Sequence, residues 1–123
     1  MQFTTPSPAR RAADHYVDMI NANRFGAIED LFASDATFLP PSGEVLKGRQ
    51  EIGRFYREEA AQRIKGCRAV SFVQEGDKCV VELEPIRKVP LALPFVARAI
   101  DHFTVDAEGK ICRLAIYLNP ARH

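Results

Sequence analysis

The stretch Pro94–Asp106, PFVARAIDHFTVD, reads as a β-strand with one charged residue on its apolar side. Phe95, Ala97, Ala99, Phe103 and Val105 recur at period two and share a face, and Asp101 sits in the middle of that row. An unpaired carboxylate taken out of water is too costly to persist; it loses its charge or acquires hydrogen bonds. Burial beside Ala99 and Phe103 should push the carboxyl pKa up, and a protonated acid is a hydrogen-bond donor, which a carboxylate is not. An inward register here marks a site; a bulge or a barrel-rim position is the structural alternative.

Outward from this strand, the period of two continues. A turn at Ala107–Gly109 leads into KICRLAIYL, with Cys112, Leu114, Ile116 and Leu118 on one face and Ile111, Ala115 and Tyr117 on the other. Upstream, RAVSFVQEG and KCVVELEPI flank a turn at Gly76-Asp77. Cys79, Val81 and Leu83 alternate there with charged neighbours, so Glu82 and Glu84 are expected in solvent. RKVPLALP carries two prolines and reads as a loop or an edge segment.

The first half has helical spacing instead. Ser7-Pro8 is a helix start, with Ser as the cap and Pro at the first helical position. Ala9, Ala12, Ala13, Tyr16, Met19 and Ile20 then form one stripe, predicting an amphipathic helix to about Asn23. Tyr16 lies at the centre of that stripe, and a buried phenol needs a partner. A short second helix should bury Phe25, Ile28, Leu31 and Phe32. SDATFLPPSGEVLKG is extended and turn-rich. A third helix is expected from about Arg49 to Arg63, with Ile52, Phe55 and Tyr56 inward and Glu59–Arg63 as an i,i+4 pair. Helices first and an antiparallel meander afterwards predict an α+β fold, one domain over residues 1–123, its sheet curled against three helices.

Composition narrows the function. The 123 residues carry a net charge of +1 without a basic run, which gives no case for nucleic acid. No apolar run approaches the roughly 20 residues of a membrane span, and MQFTTPSPARR lacks the apolar core of a signal peptide. Cys67, Cys79 and Cys112 are widely spaced and odd in number, so reduced thiols in a cytoplasmic protein are expected, with no metal and no cofactor.

The chain resembles the ketosteroid isomerases, within the nuclear transport factor 2-like (SnoaL-like) superfamily. HYVDMINANRFGAIEDLFASDATF is similar to that family's first two helices and the turn after them. GRQEIGRFY is similar to its third helix, and AIDHFTVDAEGKICRLAIY to its last hairpin, including the IDHF core. The resemblance implies a cone-shaped, curved, mainly antiparallel sheet closed by helices around an apolar pocket, in a homodimer. It implies an oxyanion hole in which Tyr16 and a protonated Asp101 donate to a carbonyl of an apolar ligand, a steroid or polyketide, with Tyr56 bracing Tyr16. A neutral carboxylic acid kept as a donor is a known property of that family. Ile20, Phe38, Phe55, Ala99, Phe103, Leu114 and Ile116 are the expected pocket lining.

One position departs from the pattern. The isomerase base, an Asp after the DAT strand, corresponds to Pro40, which has no group to accept a proton. Glu44, four residues on in the following turn, is the nearest substitute; His15 and His102 are weaker candidates, because the first flanks the helix stripe and the second faces away from Asp101. Three readings follow: a ketosteroid isomerase-like protein binding or isomerising an apolar carbonyl compound; a SnoaL-like cyclase, dehydratase or hydrolase with Asp101 ionised; and a non-catalytic small-molecule-binding dimer module.

Overall fold

A computed structural model of the chain describes residues 6–88 and 97–120. Helix α1, Pro8–Asn21, starts as the sequence dictates: the Ser7 hydroxyl accepts from the Arg10 N–H at 3.1 Å, and Pro8 needs no N–H partner. Ala9, Ala12, Ala13, Tyr16 and Ile20 are buried along one stripe. The helix stops at a left-handed Asn23, φ 58°, one of the few non-glycine residues that tolerates this region.

The second expected helix is a single 3₁₀ turn, Ile28–Leu31. Four residues cannot propagate an α-helix, and Phe32, expected on its buried side, instead opens strand β1, Phe32–Leu39. Strand β2 is the two residues Leu46–Lys47. The third helix spans the expected range in three parts: α2, Arg49–Phe55, a π-helical turn, Tyr56–Ala60, and α3, Ala61–Arg63. Strands β3, Ile64–Glu75, and β4, Lys78–Arg87, meet at a turn whose Gly76 has φ 59°, as a primed hairpin turn requires. Strands β5, Ala97–Val105, and β6, Ile111–Pro120, complete the sheet. Phe95, Val96 and most of RKVPLALP lie outside the described residues.

The sheet is open and six-stranded, in the order β2-β1-β6-β5-β4-β3. It is mixed, because β1 runs parallel to β6 while the other pairs are antiparallel. Its inner face packs on the helices, with α1 against β3, β4 and β5 and α2 against β1. Close approach at one corner depends on Gly66. A Cβ there would lie 2.8 Å from Asn21 Oδ1, the atom that accepts from the Cys67 N–H at 2.8 Å and ties the end of α1 to β3.

The last hairpin corrects one expectation. Thr104 pairs with Arg113 but Val105 pairs with Ile111, leaving Cys112 as a bulge. Ile111 is therefore fully buried instead of facing outward, and Cys112 leaves the Leu114–Ile116–Leu118 face to donate its thiol to the Thr104 carbonyl at 3.4 Å. Ala115, also expected outside, is covered as well. Glu82 and Glu84 do face away from the core, but half-buried and paired: Arg98 bridges both, and Arg68 reaches Glu84.

Candidate functional site

Between the helices and the inner face of the sheet lies a cavity of about 450 Å³. That is within the roughly 300–1,000 Å³ typical of small-molecule sites. Three buried polar side chains reach it: Tyr16 from α1, Tyr56 from the start of the π-helical turn, and Asp101 from β5. The inward register of Asp101 follows from its strand: Ala99, Phe103 and Val105 are buried with it, and its cross-strand partners are Val81 and Ile116.

The two phenols are directly bonded, hydroxyl to hydroxyl, at 2.7 Å. Tyr16 packs edge-on against Phe103 at 5.2 Å between centroids, while Tyr56 sits among Phe32, Phe38 and Phe55. These rings fix both hydroxyls, and burial pushes both phenols well above their usual pKa, so they stay protonated. Asp101 is 2% exposed, and its Oδ1 has no hydrogen-bond partner among the described residues. Burial raises its carboxyl to about 8, so it is largely neutral at pH 7.

Of the expected lining, Ile20, Phe55, Ala99 and Ile116 form walls of the cavity. Phe38, Phe103 and Leu114 do not reach it. They are fully buried one layer behind, where the rings of Phe55 and Tyr56 cover Phe38 and that of Tyr16 covers Phe103. Pro40 is buried on the cavity wall, and the following turn brings Pro41, Ser42 and Glu44 to its exposed rim. The Glu44 carboxylate accepts from the Ser42 hydroxyl at 3.0 Å. His15 is exposed beside a separate, smaller cavity, and His102 is half-buried on the outer face of the sheet, its pKa lowered by burial and by Arg113 and Lys78. Neither lines the main cavity.

Several lining residues were not anticipated. Cys67 is buried on the wall, its thiol pushed up to about 11 by burial and by Asp101 nearby. Leu83, Pro85 and Arg87 line it from β4, and Arg63 from α3. The signal for the β4 residues was present: counting by twos from Val81 and Leu83 reaches Pro85 and Arg87. Among the described residues, no group of three His, Cys, Asp or Glu could hold a metal ion, and no helix is long and apolar enough to cross a membrane.

Comparison with known proteins agrees with this architecture. The profile of the SnoaL-like domain matches residues 13–114. The orange carotenoid-binding protein of a Synechocystis strain is 40% identical over 109 residues, covering 85% of this chain. The chain spans about a third (33%) of that relative's length. Among solved structures, a Mycobacterium tuberculosis protein in complex with estradiol-17beta-hemisuccinate superposes with a TM-score of 0.77 at 19% identity, covering 92% of this chain and 95% of that one. A protein with a ketosteroid isomerase-like fold from Catenulispora acidiphila, in complex with trimethylamine, gives 0.75 at 19% identity, covering 93% and 86%. At such identities the structural likeness speaks for the fold.

Proposed function

This chain belongs to the SnoaL-like domain family, and on that footing we propose that its cavity binds an apolar ketone or phenol through two donors, Tyr16 and neutral Asp101. The observation that carries the reading is the buried Oδ1 of Asp101, without a partner among the described residues, on a side chain that lines the same cavity as Tyr16. A buried polar group without a partner costs about 1–3 kcal/mol, and a ligand oxygen placed between the two residues would remove that cost. With Tyr56 donating to Tyr16, the Tyr16 proton is left for the ligand. Two donors on one oxygen polarise a carbonyl and stabilise the enolate formed from it, each contributing roughly 10²–10³-fold to such a reaction.

Turnover also needs a base. Pro40 cannot serve, and Glu44 is held by Ser42 on the exposed rim, so binding dominates over isomerisation. The ligand is a steroid- or polyketide-sized ring compound. A second reading, one end ring of a carotenoid, is favoured by the 40% identity to a carotenoid-binding protein; a ketone-bearing carotenoid should then bind and the parent hydrocarbon should not.

Titration with a naphthol, its fluorescence reporting the state of its hydroxyl, tests the donor pair. Tyr16→Phe and Asp101→Leu are each expected to weaken binding about tenfold, the loss of roughly one hydrogen bond to a desolvated group. Unchanged affinity in both variants would remove the oxyanion hole from the account. Affinity should also fall as pH rises through about 8, where Asp101 ionises and ceases to donate.

The outer face of the sheet supports a homodimer. Val73, Val80 and His102 are aligned across three strands, and Ile100 pairs with Tyr117 in the next row. Val73 and Tyr117 are among the most exposed large apolar side chains described. Such a face suits an isologous contact. Sedimentation at micromolar concentration is expected to give a dimer, and Tyr117→Asp a monomer; a monomeric native protein would remove the dimer.

A further inference from the structure

We propose that the ligand carries an acidic arm at the end remote from its carbonyl or phenol, and that Arg87 grips it at the cavity mouth. This rests on the reading that the ligand's oxygen lies between Tyr16 and Asp101. Strand β4 measures the separation. Val81 pairs with Asp101, Leu83 with Ala99, and Arg87 lies two inward positions beyond Leu83. Six residues of strand span about 20 Å, enough for a fused-ring body and a short arm.

The chemistry of the mouth points to an anion. Arg87 is half-buried on a mainly apolar wall, with no carboxylate in ion-pair reach among the described residues. The arginine on the outer face of the neighbouring strand is matched instead, Arg98 bridging Glu82 and Glu84. The remaining charges at the mouth are Glu44, Glu59 and Arg63. Glu44 accepts from Ser42, and Glu59 faces Arg63 at 3.8 Å. Arg63 comes from the neighbouring chain segment, since Ile64 pairs with Arg87 and the Lys88 N–H donates to the Arg63 carbonyl at 2.9 Å. A guanidinium offers a planar fork that a carboxylate meets with two hydrogen bonds, and partial burial limits competition from water.

Three probes with one ring system test this: estradiol, estradiol-17β-hemisuccinate and the methyl ester of that hemisuccinate. The free acid is expected to bind the native protein about tenfold or more tightly than its ester, as a charge-assisted fork allows. That ratio should collapse towards one in Arg87→Gln and shrink with added salt. Taking the ratio within each variant cancels any general effect of the substitution on the cavity. Equal affinities of acid and ester in the native protein, or an acid preference that survives Arg87→Gln, would overturn the proposal. If estradiol binds but the acid gains nothing, the arm falls and the donor pair stands. If the acid binds through Arg87 and Tyr16→Phe leaves it unchanged, the donor pair falls instead. If none of the three binds, both fall.

Discussion

A Pro40→Asp variant is expected to isomerise a Δ5-3-ketosteroid about 10²–10⁴-fold faster than the native chain, the contribution of a positioned general base. Pro40 is buried on the cavity wall just beyond the end of β1, so a carboxylate there would face a bound ring. The backbone favours the exchange. Pro41 restricts the residue before it to extended conformations, whether that residue is Pro or Asp, and the Gly43 N–H bonds the carbonyl of residue 40, which the substitution keeps. Losing the fixed φ of Pro40 loosens the turn, which would hold the gain towards the lower end of the range. Absorbance of the conjugated product follows the rate. A native rate as high as that of an efficient enzyme would give the proton transfer to another group; Glu44 is nearest, and Glu44→Gln should then abolish it. No gain in Pro40→Asp, with phenols still bound, would show that position 40 does not reach the α-carbon of the ligand.

Asp101→Asn is expected to stabilise the fold, and by an amount that depends on pH. A paired surface carboxylate usually has a depressed pKa and gains stability as pH rises. Asp101 is the opposite case, raised from 3.8 to about 8 by burial. Between those values the folded chain keeps a proton that the unfolded chain has released, so native stability falls as pH rises through this window and levels off outside it. The cost is on the order of 4 kcal/mol at pH 7, from 1.36 kcal/mol per pKa unit. Asn has nearly the same shape and no such titration. Urea unfolding should therefore show little difference between variant and native protein near pH 4 and a difference of several kcal/mol by pH 8. A constant difference across this range would mean that Asp101 titrates normally in the fold. Since the Asn amide also donates, it is Asp101→Leu whose weaker phenol binding would indicate a carboxyl kept for its ligand at the expense of stability.

Much of this could be read from residue spacing. The period-two rows of β4 and β5, the stripe on α1 and the Gly76 turn are local patterns, and each sets the face its side chains take. Asp101 stood out because it broke one of these rows, and Tyr16 because it sat at the centre of another. What could not be read depended on contacts distant in sequence or on a single extra residue. The bulge at Cys112 has no local signature, yet it turns Ile111 inward. Phe38, Phe103 and Leu114 have the inward register expected of lining residues, but whether an inward side chain meets a cavity or another ring depends on what packs over it. For Phe38 the rings of Phe55 and Tyr56 pack against it, and for Phe103 that of Tyr16. Conversely, Arg87 was hidden by the prolines around it, although it continues the row of Val81, Leu83 and Pro85.

The parallel pairing of β1 with β6 bears on how the chain is made. Strand β1 has only the two residues of β2 on its other side, so its main partner is β6, made some seventy residues later. Phe38 pairs with Leu114 across more than half the sequence, a long loop to close before either gains a neighbour. The β3–β4 hairpin can form early and locally, whereas the sheet edge that carries Pro40 must wait until β6 has been made. During that interval β1 presents unpaired backbone and the aromatic rings of Phe32 and Phe38. This is the segment through which a nascent chain would pair wrongly with its neighbours.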